Sequence, residues 1–301
     1  MAEQNRERHT NVTVLDGGMG RELLRIGAPF RQPEWSALAL MEGTDWVVQA
    51  HDNFIQAGAQ VITTNSYALV PFHIGEDRFA EQGRALADLS GRLARQAAAA
   101  APHEVAVAGS LPPLFGSYRP DLFDGTRADD LIDPLVDGLA RHVDVWLGET
   151  LGSIVEARTV RGALDRAGST APLWLSFTLD DFVPGTLKSG ESIDEAARVA
   201  DDLGAEAVMF NCCQAETITT GLDITRAALP DSIRIGGYAN RFVAAHSSDT
   251  KANEGIATFR DDLAPDEYAG FVQRWLDTGA TMVGGCCGME PAHIARIAAL
   301  V

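Results

Sequence analysis

A closed (β/α)8 barrel in a single domain is the fold this sequence predicts, on three observations. Eight short β-branched or apolar runs recur along the chain, each ends in small or polar residues, and stretches with helical spacing lie between them. The runs are VTVLDGG (12–18), AQVITTNS (59–66), VAVAGS (105–110), VDVWLGET (143–150), PLWLSFT (172–178), AEAVMFNC (205–212), IRIGGYAN (233–240) and TMVGGCC (281–287). Strict alternation is met economically by buried parallel strands joined by right-handed helical crossovers. Eight units suggest a closed barrel, with an open doubly wound sheet as the alternative.

The intervening elements can be taken in order. DWVVQAHDNFIQAG (45–58), the alanine-rich RFAEQGRALADLSGRLARQAAAAA (78–101), SIDEAARVADDLG (192–204) and DEYAGFVQRWLDTG (266–279) are amphipathic, and several end in glycine, a common helix stop. Two long connections, 111–125 and 241–265, follow strands; in a barrel both lie over the C-terminal mouth, where active sites are built. No linker rich in proline, glycine or serine divides the chain. Residues 1–10 are expected to be disordered and 11–301 to form the one domain.

Of 301 residues, 46% are hydrophobic and 22% charged, enough apolar surface for a large core. The formal net charge of −18 argues against nucleic acid and anionic membrane surfaces as partners. No apolar run approaches the roughly 18 residues that span a bilayer, and the start MAEQNRERHT lacks a secretory signal's apolar stretch, so a cytoplasmic location is expected. In that reducing compartment four cysteines read as metal ligands or catalytic thiols rather than as a disulfide framework.

Reactive or binding groups close each run: Asp16, Asn65, Ser110, Glu149, Thr178, Asn211 with Cys212, Tyr238 with Asn240, and Cys286 with Cys287. A barrel gathers them at one rim. Cys212 from run six and Cys286 and Cys287 from run eight can there converge on a single zinc ion, three sulfur ligands leaving the fourth position open. Adjacent cysteines can both ligate where the backbone turns sharply, which Gly284, Gly285 and Gly288 permit. A thiol substrate in the fourth position would become a thiolate at neutral pH, so alkyl transfer to sulfur is the natural reaction. A closed structural site would instead need a fourth ligand, from Cys213 or a histidine such as His51, His73, His142, His246 or His293. Cys213 points the other way if its strand continues. LDGGMG is an incomplete dinucleotide fingerprint, which argues against NAD.

LDGGMGRELLRIG, AGAQVITTNSY, VAGSLPP, GET, FNC, YAN and GGCCG, in this order and over nearly the whole chain, resemble the homocysteine S-methyltransferase family. The similarity is closest to stand-alone members that use S-methylmethionine or S-adenosylmethionine as donor. The resemblance implies a zinc-dependent (β/α)8 enzyme that methylates L-homocysteine to methionine. The family's zinc cysteines map onto Cys212, Cys286 and Cys287. Its homocysteine-binding positions map onto Asp16, the backbone of Gly17 and Gly18, and Glu149, which would hold the substrate ammonium. Asn211, Tyr238 and Asn240 match motif positions that line the site. Physically, a carboxylate beside the metal can pair with an α-ammonium, and glycine amides can donate to a carboxylate.

Met209 and Cys213 depart from the family pattern, the first where many relatives have glycine and the second as an additional thiol. Other roles stay open: Asp16 as the cap of the following helix, Glu149 paired with Arg158 or Arg119, and Trp35 in contact with a cationic donor. So do other functions. Betaine or dimethylsulfoniopropionate can be the donor, although Thr150 stands where betaine-using relatives are expected to carry an aromatic residue. Selenocysteine or another small thiol can be the acceptor. Outside enzymes, a thiol-sensing zinc barrel fits the cysteines.

Overall fold

A computed structural model describes residues 11–244 and 258–301. The expected disordered N-terminus, His246 and most of the 241–265 connection lie outside the described residues. Each predicted run coincides with one strand, two of which extend a residue past it at Leu111 and Leu151: β1 Thr13–Val14, β2 Val61–Thr63, β3 Ala106–Leu111, β4 Val145–Leu151, β5 Leu173–Phe177, β6 Ala207–Asn211, β7 Arg234–Tyr238 and β8 Met282–Val283. Their spatial order is β1-β8-β7-β6-β5-β4-β3-β2, with every neighbouring pair parallel. A parallel bridge between Leu15 and Val61 brings the two ends together, and the Gln60 amide donates to the Val14 carbonyl at 2.8 Å. The sheet is therefore a barrel, and the open-sheet alternative falls.

The helices are α1 Met19–Ile26, α2 Ala37–Glu42, α3 Thr44–Gln56, α4 Pro71–Ile74, α5 Glu76–Ala99, α6 Ala128–Leu139, α7 Ile154–Arg166, α8 Ile193–Asp202, α9 Ala215–Ala228, α10 Pro265–Asp277 and α11 Pro291–Ala298. Local chemistry sets their ends. The Ser192 hydroxyl accepts from the Glu195 amide at 3.2 Å and starts α8; Gly204, at φ +74°, stops it where an L side chain would be strained. At α11, Glu290 and His293 form a reciprocal capping box. The short helices α2 and α4 had no sequence expectation, being too brief for periodicity to show. No helix among the described residues is long and apolar enough to cross a membrane.

The period of two in each strand divides the core into two shells. Leu15, Val61, Ala108, Val145, Leu147, Trp174, Ala207, Met209, Tyr238 and Met282 fill the barrel interior. Ile62, Val107, Trp146, Leu175, Val208, Phe210, Ile235 and Val283 point outward into the layer shared with the helices. Full burial of such side chains contributes roughly 1.5–3 kcal/mol each. Met209 is thus a barrel-filling side chain. Cys213 is fully buried in the outer shell, remote in direction from the other cysteines.

Candidate active site

The same alternation places polar groups above the apolar interior. In β4, Val145 and Leu147 face inward and the next inward position is Glu149; in β6, Ala207 and Met209 precede Asn211 in the same way. Thr63, Ser110, Ser176 and Tyr238 follow by parity on their own strands. A polar layer therefore caps an apolar barrel at the C-terminal ends of the strands.

Two carboxylates lie in this layer, both buried. Asp16 accepts from the Thr63 amide at 2.7 Å and the Thr63 hydroxyl at 3.1 Å. Burial nonetheless raises its pKa from 3.8 to about 7, and the nearby Glu149 charge adds to the rise. Glu149 accepts a short hydrogen bond from the Ser110 hydroxyl, and burial likewise lifts it from 4.5 to about 7. Neither has a cationic partner among the described residues. The suggested pairing with Arg119 does not form, since that guanidinium binds Asp121 at 2.7 Å. Nor does Asp16 cap α1, whose N-cap is Gly18, with no side-chain cap hydrogen bond.

The asparagines brace the site. Asn211 Oδ1 accepts from the Thr150 amide at 2.9 Å and the Ser176 hydroxyl at 2.7 Å, and its Nδ2 donates to Thr150 Oγ1 at 2.8 Å. Thr150 and Cys212 both occupy left-handed backbone, at φ +59° and +56°, so this lock fixes the ends of β4 and β6 in conformations non-glycine residues rarely adopt. Asn240 Nδ2 donates to the Cys212 carbonyl at 2.8 Å, and its Oδ1 accepts from the Phe242 amide at 3.1 Å. Tyr238 lies buried close to Glu149 and Asp16, beside Ser176, its hydroxyl without a partner in hydrogen-bond geometry.

Gly17 and Gly18 allow the β1 and β8 loops to touch. A Cβ at Gly17 would stand 2.5 Å from the Met289 carbonyl, and one at Gly18 2.6 Å from the Cys286 carbonyl. The Gly18 amide donates to the Met289 carbonyl at 3.1 Å. Of the glycines around the cysteine pair, Gly288 makes the turn, at φ +83°, whereas Gly284 gives close approach, its Cβ position being 2.6 Å from Leu15 Cβ.

The sulfurs of Cys212, Cys286 and Cys287 all lie within 4.8 Å of one another, a group able to hold a metal ion. Cys212 and Cys287 are 3.9 Å apart at sulfur. Cys212 and Cys286 stand in close contact at sulfur, with Cα atoms 5.7 Å apart. The strand ends bring these two sulfurs so close that they can bond directly. Burial pushes the Cys287 thiol up to about 11, with Arg21 drawing it down and Glu149 pushing it further up. A thiolate in that position needs a cation, which suits a sulfur donor set for a soft metal. No histidine or carboxylate joins the cluster among the described residues. His73 is engaged with the Pro33 carbonyl, His142 with Asp88, and His293 with the Leu263 carbonyl. His51 is wholly buried on α3.

Three mouth residues escaped the sequence reading. Tyr67, hydrogen-bonded to Ser117 at 2.8 Å, and Tyr118, at φ +63°, both lie within electrostatic reach of Cys287. Arg21 does as well. Two of the three carried a signal, Tyr67 as the last residue of the AGAQVITTNSY motif and Arg21 as part of LDGGMGRELLRIG.

Comparison with known proteins agrees with the motifs. Residues 13–301 match the family model described as homocysteine S-methyltransferase. Selenocysteine methyltransferase from Astragalus bisulcatus is 25% identical, covering 95% of this chain and 91% of its own. Homocysteine S-methyltransferase 1 from Arabidopsis thaliana is 27% identical, covering 94% and 91%. The metallated form of the homocysteine methyltransferase MmuM from Escherichia coli superposes over 100% of both chains with a TM-score of 0.79 at 25% identity. With motifs, fold and cysteine cluster in agreement over the full barrel, the chain belongs to the homocysteine S-methyltransferase family.

Proposed function

We propose that this barrel transfers a methyl group from a small sulfonium donor, S-methylmethionine or S-adenosylmethionine, to the sulfur of L-homocysteine, giving methionine. The observation that carries the reading is the meeting of three sulfurs from two strand ends beside two buried carboxylates that lack a cationic partner. Cys212, Cys286 and Cys287, reduced in the cytoplasm, would hold Zn2+, which when bound lowers the pKa of a coordinated thiol so that it reacts as a thiolate at neutral pH.

The remaining work belongs to the chain itself. Asp16 and Glu149 offer two carboxylates for the α-ammonium of the acceptor; that charge would draw both from near 7 back toward their ordinary range, so they bind as anions. Thr63 and Ser110 aim them. Asn211 and Asn240 act as positioning residues by locking the backbone on both sides of Cys212. Tyr238 lies between the carboxylates and the barrel interior, and Tyr67 and Tyr118 help to enclose the reacting sulfur from water. Alignment of acceptor and donor in such an enclosure supplies much of the acceleration.

The test is methionine formation by reduced, zinc-loaded protein with homocysteine and, in separate reactions, S-methylmethionine, S-adenosylmethionine, glycine betaine and dimethylsulfoniopropionate. Product from a sulfonium donor sustains the reading and names the donor; no product from any donor, with no binding of homocysteine, overturns it. The similarity to a selenocysteine methyltransferase supports a second acceptor. Selenocysteine offered in competition with homocysteine measures that preference.

A further inference from the structure

The three clustered sulfurs come from two turns, Cys212 after β6 and Cys286-Cys287 after β8, and β7 lies between those strands in the sheet. What leaves β7 therefore sets the spacing of the turns. Beyond Tyr238 the chain bonds to both sides at once. The Cys286 amide donates to the Ala239 carbonyl at 2.9 Å and the Arg241 amide to the Cys287 carbonyl at 2.8 Å. On the other side the Asn240 amide donates to the Cys213 carbonyl at 3.2 Å, and the Asn240 side chain to the Cys212 carbonyl at 2.8 Å. Residues 239–241 form a wedge between the two cysteine turns.

The wedge continues into a short antiparallel ribbon. The Arg260 amide donates to the Arg241 carbonyl at 2.8 Å and the Val243 amide to the Thr258 carbonyl at 3.1 Å, while the rings of Phe242 and Phe259 stack at 5.7 Å. The Arg260 side chain, only 16% exposed, closes the assembly. Its guanidinium donates to Gln214 Oε1 at 2.7 Å, to the two Glu216 oxygens at 2.9 and 2.8 Å, and to the two Asp262 oxygens at 3.0 and 2.8 Å. Gln214 follows Cys212-Cys213 directly and returns its Nε2 to the Phe242 carbonyl at 2.8 Å. Arg260 thus reaches the Cys287 turn through its backbone partner Arg241, and the Cys212 turn through its side chain.

Ligands carried on separate strands bind an ion more tightly when their spacing is fixed beforehand, since less ordering is left for the binding step, and partners behind the ligands supply that order. We propose that Arg260 is a positioning residue for the metal, holding the Cys212 turn and the Cys286-Cys287 turn at the separation the ion requires. The proposal rests on the reading of the three cysteines as a zinc site. It gives the long connection after β7 a part in the chemistry although none of its residues is a ligand in that reading.

The test measures zinc affinity, by competition with a chromophoric chelator, for reduced wild type, Arg260→Gln and Arg260→Lys, beside the melting temperature of each metal-free protein. Arg166→Gln, which breaks exposed pairs with Asp129 and Asp133, controls for the loss of an ion pair as such. Arg260→Gln should bind zinc about tenfold more weakly, the scale of losing a partner behind a metal ligand. Arg260→Lys, which keeps the charge without the planar fork, should fall between it and wild type, and Arg166→Gln should match wild type. A loss of less than about threefold in Arg260→Gln overturns the proposal even where the melting temperature falls, because a residue that only holds the ribbon moves stability and not the affinity of the folded protein. Equal weakening in Arg166→Gln overturns it as well. If Arg260→Gln does not fold, Gln214→Met, which removes the contact at the Cys212 turn and keeps the side chain's volume, is judged by the same limits. A wild type that takes up no zinc overturns the metal reading and this proposal together, whereas a wild type that holds zinc no more tightly than the variants overturns this proposal alone.

Discussion

The outer groove between α5, α6 and α7 and the mouth of the barrel are both lined by charged residues, yet they treat charge in opposite ways. The groove is open and spacious, about 760 Å³, and its ions answer one another: Arg127 meets Glu76 at 2.8 Å, Arg84 meets Asp137 at 3.2 Å, and Arg166 meets Asp133 at 2.7 Å. At the mouth, Asp16 and Glu149 are buried with only hydroxyl and amide donors, and both titrate near 7. A groove whose three arginines are already paired with acids has little to offer an anionic ligand despite its size. Buried acids without a cation are costly to the fold, and such groups cluster where a ligand supplies the missing charge.

The comparison is sharpened most strongly at the metal-ligating sulfurs. Cys212→Ala should lower zinc retention to well below one per chain and methionine formation by at least about a thousandfold, the scale of losing a group that acts only in the transition state. Zinc analysis and a methionine assay measure both, and full activity with stoichiometric zinc would break the account.

Glu149→Gln comes next, with two effects of opposite sign. Loss of the charge for the acceptor's ammonium should raise the homocysteine KM about 10- to 100-fold. Stability moves the other way. The folded-state pKa of Glu149 is raised from 4.5 to about 7, so between those values folding takes up a proton, and stability grows as pH falls through this window. Asp16 and Glu156, also raised to about 7, act in the same direction. The ligand-free protein should therefore melt higher near pH 5.5 than near pH 8, as far as these groups are concerned. Glu149→Gln should raise the melting temperature at pH 8 and flatten the pH dependence by about 1.4 kcal/mol per pH unit within the window. A variant that melts lower at pH 8 would show that Glu149 stabilises the fold.

Asn211→Ala should have an intermediate effect, because it unlocks two left-handed residues and leaves the Thr150 amide and Ser176 hydroxyl without their acceptor. A loss of about 1–3 kcal/mol in urea unfolding is expected, with a fall in kcat/KM larger than any change in zinc content. The smallest effect belongs to the groove. Arg127→Gln, which breaks an exposed pair with Glu76, should cost less than about 1 kcal/mol and leave methionine formation unchanged. A large loss of activity there would dissolve the contrast between the two regions.

The fold was legible because it is written in local pattern. Each strand falls on its expected run, β3 and β4 extending one residue beyond theirs, and the helix stop at Gly204 needs only a short stretch of sequence to be recognised. Site membership was legible for a related reason: in a barrel the polar residue that ends a strand arrives at the rim wherever it stands in the sequence. Roles were less so. That Asn211 and Asn240 use their amides on Thr150, Ser176 and the Cys212 carbonyl, or that the Gly18 amide is taken by Met289, depends on partners far away in the chain. The close contact of the Cys212 and Cys286 sulfurs likewise depends on how closely the ends of β6 and β8 approach, a distance that no local motif encodes. Arg21 lies within the LDGGMGRELLRIG motif, but its place was not legible there, because it packs against an aromatic pair more than two hundred residues further on.

The most direct test of the central claim is X-ray absorption at the zinc edge of the reduced, zinc-loaded protein, before and after homocysteine is added. Three sulfur neighbours from Cys212, Cys286 and Cys287, rising to four with homocysteine, is the result the account predicts. Four sulfurs without homocysteine, or a count that homocysteine leaves unchanged, would contradict it.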